Sequence, residues 1–219
     1  MRGKGKGFTL VELAIVLVII GIIIGAVLKG QEMIFNAKVK RTISLIKELM
    51  AAVNAYYDRY GYLPGDDPTA SSRWPNATDG NGDGIICNPL WYNCTGGPEY
   101  MYAIRHLRYA NLISGDPNED PPIIPHPFYK RYYTGDLPTM IVHTSTLVGT
   151  VADIYMGKPY IRIRDVPGKG AEMIDRIMDD GFRLSGSVLG CIPLVGCVGN
   201  ATYNNTYNPD QLYSIHVYF

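Results

Sequence analysis

The position of a single carboxylate near the N-terminus predicts that this residue has a functional role. Glu12 lies inside an apolar run, residues 8–28, that is otherwise interrupted only by Thr9 and glycines. An unpaired carboxylate in hydrocarbon is costly, so an acidic residue in such a run indicates a functional partner. The sequence offers an amine as that partner. If a peptidase cuts between Gly7 and Phe8, the new amino group of Phe8 can pair with Glu12 of a neighbouring chain.

A second group of residues has the oxygen side chains and glycines of a calcium-binding loop. Carboxylate and amide oxygens at alternate positions, glycine turns and one backbone carbonyl are what such a loop supplies. The residues concerned are Asp79, Asn81, Asp83 and Ile85. The twelfth position is Leu90, where an EF-hand has a bidentate glutamate, so further ligands must come from elsewhere. The candidates are Asp66, Asp67, Asp179 and Asp180. The alternative is an Asx-rich turn without an ion.

The four cysteines form two close pairs in the sequence, Cys87 with Cys94 and Cys191 with Cys197. Neither spacing is that of a zinc ribbon, and no histidine lies near either pair. We therefore expect disulfides, and local pairing within each close pair is preferred among the three pairings that four cysteines allow.

Enzymatic chemistry and nucleic-acid binding find little support in the sequence. The histidines, which have neither metal-ligand spacing nor the setting of a catalytic triad, are His106, His126, His143 and His216. The sequence has no phosphate-binding loop and no dinucleotide fingerprint. Basic and acidic residues balance at 20 each, and no basic cluster outside the N-terminus is large enough for a DNA-binding stripe. We expect no organic cofactor and no nucleic-acid partner.

The apolar run at 8–28 must position the N-terminal residues. As a helix rising about 1.5 Å per residue, it reaches roughly 30 Å and can span a bilayer. Three basic residues precede it: Arg2, Lys4 and Lys6. Positive charge holds that end in the cytoplasm, so the chain from about Lys29 onwards should lie outside it. That compartment is oxidising, which favours disulfides.

Beyond the apolar run, the pattern predicts a helical continuation and then a mixed domain. Apolar residues within 29–60 recur at spacings of three, four and seven, which is typical of an amphipathic helix. Glycines and prolines within 61–68 end it. Short helices are predicted at 99–114 and 171–180, and strands at 140–147, 153–156, 160–164 and 212–219. We expect the strands to form an antiparallel sheet packed on the long helix.

The segment Lys6-Gly7-Phe8-Thr9-Leu10-Val11-Glu12-Leu13 resembles the class III leader of type IV prepilins and type II secretion pseudopilins. The resemblance implies that a membrane peptidase cleaves after Gly7 and methylates the amino group of Phe8. Tyr62-Leu63-Pro64-Gly65-Asp66-Asp67 and Asn81-Gly82-Asp83-Gly84 resemble blocks of large pseudopilin-like proteins. The sequence departs from many pilins in having no proline before Pro64.

The expected fold is α+β, the type IV pilin fold, with a long N-terminal helix packed on an antiparallel sheet and long loops tied by disulfides or calcium. The expected parts are a cleaved leader at 1–7, a transmembrane and filament-core helix at 8–28, its amphipathic continuation at 29–60 and an extracytoplasmic globular domain at 61–219.

The expected role is a structural subunit of a type IV pilus-like filament, anchored in the cytoplasmic membrane as a precursor and later part of an extracellular or periplasmic fibre. Its expected partners are other copies of itself, a prepilin peptidase, an inner-membrane assembly platform and, before assembly, the membrane. Two alternatives stay open: a secretion pseudopilin or minor pilin, and a membrane-anchored extracytoplasmic enzyme or binding protein.

Overall fold

The computed structural model describes residues 9–86, 97–120, 122, 124–128, 140–144, 158–192 and 205–219. The helices are α1 (Leu10–Tyr60), α2 (Ala70–Arg73), α3 (Glu99–Tyr109) and α4 (Gly168–Met178). The strands are β1 (Met140–Thr144), β2 (Pro159–Pro167), β3 (Val188–Cys191) and β4 (Leu212–Tyr218). They form one sheet in the order β1-β2-β4-β3, and every neighbouring pair is antiparallel. The expected α+β class, with a long N-terminal helix and an antiparallel sheet, is confirmed.

Helix α1 changes character along its length. Its N-terminal part exposes its large apolar side chains as far as Ile34, and an 18-residue window with mean hydropathy 3.0 makes this part long and apolar enough to cross a membrane. From Val39 onwards, apolar side chains spaced by three or four residues are buried, as the amphipathic pattern predicts. The chain separates into two compact units, Met1–Lys38 and Val39–Phe219. The boundary predicted between residues 28 and 29 stays a prediction.

The sheet buries side chains on both of its faces. On one face, Ile161 lies opposite Val217 and Ile163 lies opposite Ile215, and all four are buried. The other face carries a buried cluster of Tyr160, Leu189, Cys191 and Tyr218. Strand β2 is irregular between Ile163 and Val166, where Asp165 has a φ of 59°. A bulge at this point bends the strand at the end that leads into α4.

The loop after α1 is packed against α3. Gly65 has a φ of 93°, and a side chain built there would collide with the backbone carbonyl of Glu99. The buried carboxylate of Glu99 accepts a hydrogen bond from the backbone N–H of Asn81 at 3.1 Å. Glycine at position 65 is therefore required both by its backbone conformation and by the close approach of α3.

The predicted elements match the described ones but differ at their ends: α3, β1 and β4 are shorter than expected, β2 is longer, and α4 begins three residues earlier. The helices expected at 99–114 and 171–180 are α3 and α4, and three of the expected strands are β1, β2 and β4. Strand β3 and the short helix α2 were not predicted. The strand expected at 153–156 lies outside the described residues.

Candidate functional site

The start of α1 places Glu12 against Thr9. One carboxylate oxygen of Glu12 accepts hydrogen bonds from the backbone N–H and from the hydroxyl of Thr9, both at 2.8 Å. The hydroxyl oxygen of Thr9 accepts a longer bond, 3.3 Å, from the backbone N–H of Glu12. This reciprocal pattern is a capping box, in which a threonine before the helix and an acid three residues later satisfy each other's N–H groups. The helix therefore begins directly after Thr9.

Thr9 is the residue of this site that the sequence argument missed. A Thr-x-x-Glu spacing before an apolar run is itself a helix-start signal, so Thr9 could have been found from the sequence. The capping box gives Glu12 a polar partner within its own chain. Pairing of Glu12 with the amine of a neighbouring chain stays a prediction, and Gly7 and Phe8 lie outside the described residues.

The predicted calcium loop is organised by hydrogen bonds from protein donors. The two carboxylate oxygens of Asp79 accept from the backbone N–H of Ser71 at 2.7 Å and from its hydroxyl at 2.6 Å, which lowers the pKa of Asp79. Asn81 accepts from the N–H of Asp83 at 2.9 Å, and Asp83 accepts from the N–H of Ile85 at 2.8 Å. These last two bonds form consecutive Asx turns.

The side chain of Asp66 holds the same loop in place through hydrogen bonds to its backbone. Its carboxylate, 1% exposed as a residue, accepts from the backbone N–H groups of Gly82 at 2.7 Å, Asp83 at 3.1 Å and Gly84 at 2.8 Å. Burial raises the pKa of the Asp66 carboxyl, and these N–H donors act in the opposite direction. Successive backbone N–H groups that converge on an anion form a nest. The side chain of Asp66 takes the place of a bound anion here.

Asp67 ties the loop to helices α1 and α2. Its buried carboxylate accepts hydrogen bonds at 2.8 Å from the hydroxyl of Tyr56 and from both the N–H and the hydroxyl of Thr69. It also forms an ion pair with Arg73. The guanidinium of Arg73 lies 4.5 Å from the ring centroid of Tyr60, which is close enough for a cation–π contact.

These contacts do not fit calcium ligation by Asp66 and Asp67, because calcium needs oxygens that point at a common ion and these oxygens point at N–H, O–H and guanidinium donors. Of the candidate extra ligands, Asp179 and Asp180 lie with Asp175 in a cluster whose carboxylate oxygens are within 4.8 Å of one another. The arrangement of 79–85 favours the Asx-rich turn, and calcium binding stays a prediction.

Asp175 is the buried member of that cluster. Its carboxylate accepts from the hydroxyl of Tyr207 at 2.6 Å and from the backbone N–H of Gly181 at 3.1 Å. Burial raises the pKa of Asp175 from 3.8 to about 6, and repulsion from Asp180 and Asp179 adds to the increase. The two hydrogen bonds lower the pKa and offset part of that increase. The group therefore titrates near neutral pH.

Asp175→Asn is expected to stabilise the protein more at pH 7.5 than at pH 5. Because the pKa of Asp175 is higher in the folded chain, its contribution to stability is present at low pH and is lost as pH rises through about 6. The stability difference between Asp175→Asn and the unchanged protein should grow by about 1.4 kcal/mol between the two pH values, because the linkage acts over about one pH unit, from pH 5 to the folded-state pKa. Thermal unfolding of the full chain in detergent measures it, with the exposed Asp210→Asn as control. A difference independent of pH would contradict the expectation.

Two of the described histidines, His106 and His216, have structural contacts. Nδ1 of His106 accepts from the backbone N–H of Gly65 at 3.0 Å, so Nε2 carries the proton and donates to the carbonyl of Thr78 at 2.8 Å. Burial lowers the pKa of His106, which keeps the ring neutral in this role. His216 stacks on Tyr160 with ring centroids 4.8 Å apart. Neither contact is that of a catalytic base beside a nucleophile.

Cys191 is buried at the end of β3 and is disulfide-bonded. The other cysteines, Cys87, Cys94 and Cys197, lie outside the described residues. The pairing of Cys191 with Cys197 and of Cys87 with Cys94 therefore stays a prediction.

Comparison with known proteins agrees with the geometry at the start of α1. The family described as "Prokaryotic N-terminal methylation motif" matches residues 2–28. The chain is 39% identical over 71 residues to a fimbrial protein of Neisseria meningitidis serogroup B and, to the same extent, to the type IV major pilin protein PilE of Neisseria gonorrhoeae. Each match covers 32% of this chain and 42% of the relative. No solved structure matches significantly.

The matched motif contains the capping box of Thr9 and Glu12, and it ends within the exposed apolar part of α1. The N-terminal segment therefore carries the prokaryotic N-terminal methylation motif, and the chain is similar to two type IV pilins over a stretch that spans 42% of their length.

Proposed function

We propose that the chain is a structural subunit of a type IV pilus-like filament and that it has no catalytic role. The observation that carries the proposal is the N-terminal segment, in which a methylation motif leads into a helix with exposed apolar side chains and one capped carboxylate. So many exposed apolar side chains must be shielded from water. The lipid bilayer shields them in the precursor, and the helices of neighbouring subunits shield them in the assembled fibre.

The proposed sequence of events begins in the cytoplasmic membrane. The precursor is anchored there by the N-terminal part of α1, with its basic N-terminus inside the cell. The unit Val39–Phe219, here called the globular unit, lies outside the cytoplasm. A prepilin peptidase cuts between Gly7 and Phe8 and methylates the new amine. The mature chain then leaves the membrane through an inner-membrane assembly platform and joins other copies in an extracellular or periplasmic filament. Pairing of Glu12 with the amine of the preceding copy would offset the charge that each has in an apolar surrounding.

The similarity to a fimbrial protein and a type IV major pilin favours a pilus over a secretion pseudopilus. The location of the mature protein distinguishes the two. A mature chain in fibres sheared from the cell surface supports the pilus, whereas a mature chain confined to membranes supports the pseudopilus.

Mass spectrometry of the N-terminal peptide is expected to show a terminus at methylated Phe8 in sheared fibres. Gly7→Val should abolish this terminus, because a β-branched side chain replaces the hydrogen atom next to the cut bond. Gly5→Val, two residues upstream, is the matched control and should be cut normally. Recovery of the intact N-terminus from cells with an active peptidase would overturn the proposal and favour an anchored enzyme or binding protein.

A further inference from the structure

The globular unit has an open groove along α1. One wall consists of Leu45, Glu48, Leu49, Ala51 and Ala55 on α1, and Leu112 and Ile113 after α3 lie opposite. The groove has a volume of about 460 Å³. A cavity of about 150 Å³ accommodates a benzene ring, so the groove has room for an aromatic and an aliphatic side chain together. We call it the α1 groove.

The surroundings of the α1 groove carry net positive charge. The one charged side chain in its lining, Glu48, is already paired with Arg41 at 3.0 Å, and two lysines beside the groove have no such partner among the described residues. Lys40 and Lys47 are seven residues apart and therefore lie on the same face of the helix. Lys47 is one turn before Ala51, which lines the groove, so both lysines flank it on one side. Both are exposed, and within the part of the chain that the structure describes neither forms an ion pair.

A complementary surface lies at the end of α4. Ile177 and Phe182 are 57% and 52% exposed. The N–H of Phe182 donates to a carboxylate oxygen of Asp180 at 2.8 Å, and the other oxygen accepts from the hydroxyl of Ser185 at 2.7 Å. Asp180 thus fixes the turn that presents Phe182. We call Ile177, Phe182 and the neighbouring Asp179 and Asp180 the α4 knob.

The α4 knob carries negative charge that the described residues leave uncompensated. The carboxylates of Asp179 and Asp180 lie within 4.8 Å of that of Asp175, and no lysine or arginine among the described residues is within ion-pair distance of them. The knob therefore combines apolar side chains with negative charge. The groove combines a mainly apolar floor, in which Glu48 is neutralised by Arg41, with the positive charge of the two lysines beside it.

We propose that the α4 knob of one copy seats in the α1 groove of the next copy, with Asp179 and Asp180 facing Lys40 and Lys47. The inference rests on the proposed filament function and names the surfaces that the globular units use within it. The two surfaces are different patches of one chain, so the contact is heterologous and each copy has one of each free for a further copy. Such a contact extends into an open helical fibre unless the rotation closes a ring.

A photo-crosslinking benzophenone side chain in place of Phe182 tests the contact in fibres assembled by the native machinery. We expect a crosslink to a second copy, within the tryptic peptide that contains residues 48–59 and therefore Leu49, Ala51 and Ala55. Reversing the charge beside the groove with Lys40→Glu and Lys47→Glu should lower the crosslink yield roughly fivefold or more, since each attraction becomes a repulsion. In this variant trypsin no longer cuts after position 47, so the corresponding peptide is 42–59. The charge-conserving Lys40→Arg and Lys47→Arg are the matched control and should crosslink normally.

The outcomes separate the contact from the function. Fibres of cleaved subunits whose crosslinks fall on another part of the chain, on lipid or on another protein would overturn the contact and leave the filament function in place. Equal yields in the charge-reversed and charge-conserved variants would also overturn it. Uncleaved chains and no fibres would overturn the proposed function, and the contact with it. A crosslink to 48–59 that weakens with charge reversal supports both.

Discussion

Glu12→Gln is expected to be cleaved normally and to reduce assembled fibres at least tenfold. Glutamine serves in a capping box as glutamate does, so its carbonyl oxygen can still accept from Thr9 and the helix should still begin after that residue. The substitution removes only the negative charge. A hydrogen bond between charged groups contributes about 1.5–3 kcal/mol, which corresponds to roughly ten- to a hundredfold in the affinity of one subunit for the next.

Glu32→Gln is the matched control for this prediction. Glu32 is an exposed acid on the same helix and pairs with Lys29 at 2.8 Å, so its charge is already compensated within the chain. Quantitative blotting of sheared and membrane fractions, together with the mass of the N-terminal peptide, measures assembly and cleavage separately. Normal fibre yields from Glu12→Gln would mean that the carboxylate serves only the capping box and that amine pairing plays no part.

The long helix could be predicted from the sequence because its two signals are local. The first signal is the uninterrupted apolar run, and the second is the repeat of apolar residues every three or four positions after it. Both depend only on residues within the helix, which ends just before Gly61. The same locality explains the correct position of α3 and α4, whose apolar residues also follow the helical repeat. Their ends were placed less well, because end positions depend on capping contacts such as the bond from the N–H of Asp179 to the carbonyl of Asp175.

Strand β3 was missed because its signal is weak in isolation. Only four residues, Val188–Cys191, form it, and Gly190 among them has low strand preference. Its pairing with β4 depends on a partner that follows about 25 residues later, and Gly190 is required where Tyr207 and Arg183 approach its backbone. Contacts of this kind are set by the fold and not by the local sequence.

The loop at 61–86 shows what the sequence could not decide. Alternating Asp, Asn and Gly suit either a cation or a set of Asx turns, and the side chains are the same in both cases. The difference lies in where the backbone N–H groups of Gly82, Asp83 and Gly84 point, and those directions exist only once the loop has folded around Asp66. The sequence predicted that the loop needs ties and offered calcium or an Asx-rich turn, together with cysteines, whereas the buried carboxylates of Asp66 and Asp67 that tie its described part were considered only as calcium ligands.

Asp66→Ala is therefore expected to destabilise the globular unit by about 3 kcal/mol. The change leaves three part-buried N–H donors without their acceptor, and each such loss costs about 1–3 kcal/mol, less where water can reach the group. Asp66→Asn keeps one acceptor oxygen but turns an N–H₂ group towards the remaining donors, so an intermediate loss is expected. Chemical unfolding of the full chain in detergent measures both.

Asp83→Ala is the matched control, since the Asp83 side chain is exposed and accepts from the N–H of Ile85 and the amide of Asn81 at the loop surface. Asp83→Ala should lower the free energy of unfolding by less than about 1 kcal/mol.

A chelator separates the two explanations of the loop. If Asp66 acts through N–H donors alone, removing divalent cations leaves the unfolding midpoint of the unchanged protein where it was. A chelator that lowers this midpoint, and has no effect on Asp66→Ala, would instead establish a bound cation that needs Asp66.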